Sequence, residues 1–323
     1  MKQRYAVKII IYLMAILGVD VHALTPAQQL VEKMSMSAKN LSYKGFFNYE
    51  QGQQSSSYEI IHKVDGDIEK QRLVFLDGSA FEVISDGHSL KCLHAGDVSF
   101  QSPHSHNFEA NPSKFNEKSL TSIWKHYLVS IDGSARVANR MATKVKLIPN
   151  DTHRFPFEFF VDDKTGLMLK MVVLDMKQQP IERFHFVSID FDNVSDQDLV
   201  PHIKDYVVVE HSKHQTLQKN SPAKWQLTWI PSGFQQENAK MNAWMPEAEK
   251  QHVYMYSDGL SAFSVFVEKA RDELMHDTST QQGSTSAVTH VMTINGEQIV
   301  VTVVGEIPIM TAKQIALSLE PAT

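Results

Sequence analysis

Cysteine is almost missing: Cys92 is the only one in 323 residues. That excludes an intramolecular disulfide framework and any cysteine-rich zinc or iron–sulfur site. Positive charge is also short, with 31 Lys and Arg against 37 Asp and Glu for a formal charge of −6. Nucleic acid is therefore a poor main partner, since neutralising phosphates takes a basic surface. With 14 Gly and 12 Pro, 42% hydrophobic and 21% charged residues, the composition excludes collagen, disorder and a coiled-coil rod. Long apolar runs are absent too. The one at 9–19 covers 11 residues, about half of a membrane span. Catalytic signatures are lacking: there is no G-x-S-x-G, H-E-x-x-H, Walker loop or G-x-G-x-x-G.

What is present begins with an address. Lys2, Arg4 and Lys8 precede the apolar run, and Val21-His22-Ala23 fills the small-x-small positions of a cleavage site. This is the pattern of a secretory signal, residues 1–23, with cleavage expected after Ala23. Its removal takes Lys2, Arg4, Lys8 and Asp20 away and shifts the charge from −6 to −8. No cysteine stands at the cleavage site to carry a lipid anchor. The expected product is exported, acidic and not membrane-spanning.

Length allows two domains. Thr25-Pro26-Ala27-Gln28 opens a helix as a capping box with Pro at its first position. Ala27, Leu30, Val31, Met34, Ala38 and Leu41 then give it an apolar stripe. From Tyr43 the pattern becomes β: strands near 45–51, 56–64, 69–76, 80–85 and 88–94, a short helix over 120–128 carrying Trp124, and strands near 134–139, 141–149, 155–162, 166–176 and 180–191. Roughly ten strands in an antiparallel meander must curl, and the helices can plug the concave side. The polar stretch 210–224 reads as a linker between domains 24–209 and 225–323. Beyond it, hairpins turn at Asp258-Gly259 and Asn295-Gly296. The segment 268–286 reads as a loop, and a second capping box at Thr311-Ala312-Lys313-Gln314 starts a final helix. The second domain is a small α+β unit.

Candidates for chemistry each have a plainer reading. Cys92 and His94 share a strand face, but a thiol nucleophile draws its base from elsewhere in the fold. His104-Ser105-His106 could clip a metal, yet lacks a third ligand in a loop where solvated histidines are ordinary. Asp162-Asp163 precedes a glycine turn, where Asp serves turn geometry. No catalytic residue, metal or cofactor is expected. Residues 157–161, 167–174 and 184–187 are apolar on both faces, so they must be covered twice. Helices are the plain cover; the alternative is an inner face left partly open as a lipid-sized cavity. Its candidate lining is Phe47, Tyr49, Phe159, Leu169, Met171 and Val173.

Whole blocks resemble the RseB/MucB family. Tyr43-x-Gly45-x-Phe47-x-Tyr49, Ile60-Ile61-His62-Lys63-Val64-Asp65, Glu69-x-x-Arg72-Leu73-x-x-Leu76-Asp77-Gly78, Asp162-x-x-Thr165-Gly166-Leu167 and Glu182-Arg183-Phe184 carry the likeness in the first domain. Trp229-Ile230-Pro231-x-Gly233-Phe234, Tyr256-Ser257-Asp258-Gly259-Leu260-x-x-Phe263 and Val304-Gly305-Glu306-Ile307-Pro308 continue it in the second. The chain departs from the family pattern at 104–116 and 268–286. The resemblance implies a mainly β protein with some α: a LolA/LolB-like unclosed antiparallel β-barrel with helices, then the smaller α+β domain. It implies a periplasmic negative regulator of sigma-E that binds the periplasmic domain of an RseA/MucA-like anti-sigma factor and shields it from proteolysis, relieved by lipopolysaccharide or a lipid A-like ligand. A lipid or lipoprotein carrier of the LolA/LolB type is the alternative. The hairpin block Tyr256, Ser257, Asp258, Gly259 and Leu260 is the partner-surface candidate, against its plainer role as turn and core.

Overall fold

The computed structural model describes residues 23–95, 117–203, 206–212, 224–237, 252–270 and 275–322, with the side chains of 95, 117–118 and 206–212 left out of account. Helix α1 (Pro26–Asn40) starts at the expected capping box, Thr25 accepting from the Gln28 amide and Gln28 from the Thr25 amide. Ten strands follow as two meanders. The first holds β1 (Tyr43–Gln51), β2 (Gln54–Asp65), β3 (Ile68–Phe75), β4 (Phe81–Ser85) and β5 (Ser89–Ala95). Helix α2 (Glu117–His126) leads into β6 (Tyr127–Val137), β7 (Arg140–Pro149), β8 (Phe157–Asp162), β9 (Met168–Leu174) and β10 (Pro180–Asp190). The meanders are joined because β1 pairs with β10, and β11 (Tyr206–Ser212) adds to β5. The result is one 11-stranded sheet, ordered β11-β5-β4-β3-β2-β1-β10-β9-β8-β7-β6, whose two edges do not meet.

One face of that sheet is apolar across its width. Tyr49, Phe184, Met171, Phe159 and Val145 stand opposite one another on five neighbouring strands. Helix α1 lays Val31, Met34 and Ala38 on this face, and α2 adds Leu120 and Ile123, all in one core. Both helices thus take the plugging position expected from the sequence. Strand β11 runs to Ser212, three residues into the stretch read as linker; residues 213–223 lie outside the described ones.

The second domain has β12 (Trp225–Leu227), β13 (Gln235–Glu237), β14 (His252–Ser257), β15 (Ala262–Lys269), β16 (Thr278–Gln282), β17 (Thr285–Ile294), β18 (Glu297–Gly305), α3 (Ile309–Leu317) and β19 (Leu319–Pro321). Six strands form a sheet ordered β13-β14-β15-β18-β17-β16, and β12 pairs with β19. Helix α3 covers the face carrying Phe263, Val265, Val301 and Val303. Three expectations change here. The segment 268–286 contains β16, whose Thr-Ser-Thr-Gln-Gln is exposed throughout; it has no apolar alternation to betray it and is held by backbone pairing with β17. Helix α3 begins at Ile309 behind Pro308, with no side-chain cap. Thr311 is buried inside it rather than capping it. Asn295-Gly296 makes the expected two-residue turn with φ of 52° and 80°. The β14–β15 connection is longer, because Asp258 Oδ1 accepts from the amides of Leu260 and Ser261 and organises a loop over 258–261.

Among the described residues no helix is long and apolar enough to cross a membrane.

Candidate functional site

The six interior candidates are brought together. Phe47, Phe159, Leu169, Met171 and Val173 are buried in the first domain's core and Tyr49 packs half-buried against it. The tilted and edge-on contacts of Phe47 with Phe184 (4.9 Å) and Phe186 (5.9 Å) knit the centre of the face. The opposite face is a different surface. Lys146, Glu158, Lys170 and Arg183 rim a cavity of about 360 Å³ floored by Val172 and Leu174, with which none of the six is shared. Lys170 rests over the Phe160 ring at 4.9 Å.

The hairpin candidates lie where the domains meet. Among the described residues, the first-domain side of the contact is made by the β1–β2 turn, helix α2 at Ser119 and His126, the β7–β8 loop and the start of β10. Arg154, in the β7–β8 loop, is 0% exposed. Its Nε donates to Asp258 Oδ2 at 2.5 Å, its other nitrogens donate to Asp151 and the Ser232 carbonyl, and its plane lies 4.7 Å from the Phe234 ring centre. A guanidinium so enclosed matches its fork to several acceptors at once. His153 joins the Thr311 hydroxyl at 3.2 Å and packs on Trp229. Leu260 reaches across and packs on the core of the first domain. Tyr256 belongs to the second domain's core, stacked on Phe263, while the Ser257 hydroxyl accepts from the Gly259 amide. Gly259 has φ of +92° and faces Ser119, whose Cα would lie 2.5 Å from an added Cβ; only glycine lets the loop come this near.

A second contact flanks the first. Glu182 accepts from the Tyr49 hydroxyl at 2.6 Å and from the hydroxyl and amide of Ser284. Gln51 donates to Thr285 at 3.3 Å. Burial, then the Glu182 charge, push the Tyr49 phenol far above its ordinary range, so it stays a donor.

Burial, and then the Arg154 charge, lower the pKa of His126, which also faces Lys125, Asp151 and Asp258. Of these charges only Asp258 belongs to the second domain, and it raises the His126 pKa, so the lowering comes from burial and from the ring's own domain.

The other sequence candidates have structural roles. Asp162 forms a two-pronged pair with Arg140 at 2.9 and 3.0 Å and accepts from the Thr165 amide and hydroxyl. Asp163 accepts from Thr143. Cys92 is half-buried, which raises its thiol pKa, and the His94 ring packs on Phe81 at 4.5 Å. His104 and His106 lie outside the described residues. Among those described, no group of three or more metal-ligating side chains gathers. Sequence reading passed over Arg154, whose short loop has no periodicity. Glu182 left a usable signal: it shares a strand face with Phe184 and Phe186, and a carboxylate in an apolar row calls for partners.

Comparison with known proteins places both domains. The MucB/RseB N-terminal domain model matches residues 26–203, and the MucB/RseB C-terminal domain model matches 219–320. The chain is 30% identical over 315 residues to the sigma factor AlgU regulatory protein MucB of Pseudomonas aeruginosa, covering 97% of this chain and 96% of that one. It is 25% identical over 299 residues to the sigma-E factor regulatory protein RseB of Escherichia coli K12, covering 90% of each. A solved structure of the Pseudomonas aeruginosa MucA/MucB complex matches with a TM-score of 0.76 at 27% identity, over 93% of this chain and 100% of that one. A structure of MucB in complex with MucA(peri) matches with a TM-score of 0.72 at 29% identity, over 92% and 99%.

Proposed function

This chain belongs to the MucB/RseB family, and on that premise we propose that it is a negative regulator of a sigma-E-type response that binds the periplasmic domain of a membrane anti-sigma factor. The observation that carries this reading is the match of both domains, in order, to a MucB solved together with MucA. Holding a partner segment away from a protease needs a complementary surface and no reacting group. The side chains described here are occupied with docking and packing, which suits a binding protein.

Two finer statements belong to the same reading. The first is export to the periplasm with cleavage after Ala23, supported by the basic, apolar and small-residue pattern of 1–23. The second is relief of partner binding by lipopolysaccharide or a related acylated lipid. It is supported by the continuous row of aromatic and methionine side chains inside the first domain, an adaptable apolar lining. Tyr256–Leu260 contribute to partner binding through the arrangement of the domains.

The expected result is that a labelled peptide of the anti-sigma periplasmic domain binds the exported chain, and that lipopolysaccharide weakens binding by about 5–150-fold, the span of typical couplings. By linkage, the peptide weakens lipid binding by the same factor. A titration with and without lipid reads both. No binding of the peptide overturns the regulator. Unchanged affinity in saturating lipid overturns the relief alone. Recovery of lipoproteins instead of a single-span inner-membrane protein in a pulldown favours the carrier.

A further inference from the structure

Strand β9 is apolar at every position but one, Met168-Leu169-Lys170-Met171-Val172-Val173-Leu174. A strand greasy on both faces must be covered twice. Its inner cover is the packed core with helices α1 and α2. On the outer face Val172 and Leu174 are also buried, but the side chains around them come wholly from the sheet's own strands and the β9–β10 turn. Long charged side chains cover apolar surface with their stems and keep their heads in water. The hollow left among them is about 360 Å³, at the small end of the roughly 300–1,000 Å³ of ligand clefts.

Strand register fixes where the charges stand. Lys146, Glu158, Val172 and Arg183 lie opposite one another on four neighbouring strands, and Lys144, Phe160, Lys170 and His185 form the adjacent outer row. Most of these charges already answer one another. Glu158 meets Lys144 at 2.7 Å, Lys146 meets Asp132 at 2.8 Å, and Arg183 donates to Glu50 at 3.2 Å. Lys170 is different: it has no carboxylate partner among the described residues and rests over the Phe160 ring. An aliphatic floor is thus rimmed by cations with one positive charge left over.

We propose that this outer cavity binds a small aliphatic carboxylate, its charge on Lys170 beside Arg183 and its body on Val172 and Leu174. The balance of charge sets the class. A cationic ligand meets Lys146, Lys170 and Arg183, and the one carboxylate of the lining, Glu158, is held by Lys144. A polyanion finds a single uncommitted cation, with Glu158, Asp132 and Glu50 close by to repel it. A bare anion lacks the body that takes the floor out of water. None of the six interior candidates lines this cavity, and its residues make none of the interdomain bonds, so its ligand is distinct from the anti-sigma partner.

The test uses the full exported chain with hexanoate as the probe, in a ligand-observed NMR titration at neutral pH. Hexanoate should bind. Acetate keeps the charge without the body, and hexylammonium keeps the body with the opposite charge; each should bind at least about tenfold more weakly. Lys170→Gln should weaken hexanoate binding roughly tenfold, the worth of one charge-assisted hydrogen bond, and Lys170→Arg should retain it. Circular dichroism checks each fold, and Arg183→Gln replaces Lys170→Gln if that variant is unfolded. Equal hexanoate affinity in the native chain and the folded Gln variant puts the probe elsewhere and overturns the site. Hexylammonium binding as well as hexanoate overturns the choice of an anion, and no binding of hexanoate to the native chain overturns the proposal outright.

Discussion

Leu169→Glu is expected to unfold the first domain and to abolish partner and lipid binding together. Leu169 is 0% exposed and lies in the same core as Phe159 and Met171. Removing its side chain alone costs about 2–5 kcal/mol. A carboxylate in its place has no partner among the surrounding apolar groups, and burying a polar group unpaired adds roughly 1–3 kcal/mol even on mutational scales. The sum approaches the roughly 5–15 kcal/mol by which ordinary domains are stable. Met171→Glu, on the neighbouring inward position, should behave alike. Had these residues lined an open cavity, the same charge would spoil lipid response and spare partner binding. Thermal melts of each variant beside a peptide titration separate the outcomes: a folded Leu169→Glu protein that still binds peptide would contradict the packed interior.

Glu82→Ala should produce the second large effect, by a different route. Arg72 and Glu82 are each 1% exposed, and Arg72 Nε donates to Glu82 Oε2 at 2.7 Å. Glu82 also accepts from the amides of His202 and Ile203 at 2.9 and 3.2 Å, while Arg72 donates to the Asp198 carbonyl. The pair therefore ties strands β3 and β4 to the segment that leads toward β11. Breaking a buried pair from one side strands the other charge and costs about 3–5 kcal/mol, a fall of about 6–20 °C in the melting of a domain this size. Glu82→Gln keeps acceptor atoms for the amides and should lose less. Burial alone would raise the Glu82 pKa, but Arg72 and the two amides outweigh it and hold the carboxyl below its ordinary value. That stabilisation is present above the ordinary carboxylate range and is lost as pH falls through the lowered value. A melt of Glu82→Ala within about 2 °C of the native chain would contradict the account.

Much of this was readable before any coordinates. The capping box at Thr25, the glycine turns and the double-faced apolar runs gave the leading helix, two trains of strands and a covered sheet, since each is a local preference repeated without conflict. What local pattern does not carry is which distant strands pair. The β1–β10 pairing that merges the meanders joins Lys44 to Asp190 and Gln51 to Glu182, and the sequence between them says nothing of it. Strand β16 was invisible for a related reason: it is a polar edge, defined by its neighbour's backbone rather than by its own side chains.

The sequence by itself determined the composition of the interior, the order of the domains and the family, because apolar alternation, turn residues and motif blocks are properties of short stretches. It also supplied every member of the interdomain contact without marking them as such. Arg154 reads as one more surface cation, and Asp258-Gly259-Leu260 as a hairpin tip. Only the tertiary structure decided that Arg154 is buried against Asp258, that Glu182 takes a Ser284 bond, and that Leu260 packs against the other domain's core. The physical reason is burial: a charge or a leucine acquires its meaning from what excludes water around it, and here that enclosure is built by residues about a hundred positions away.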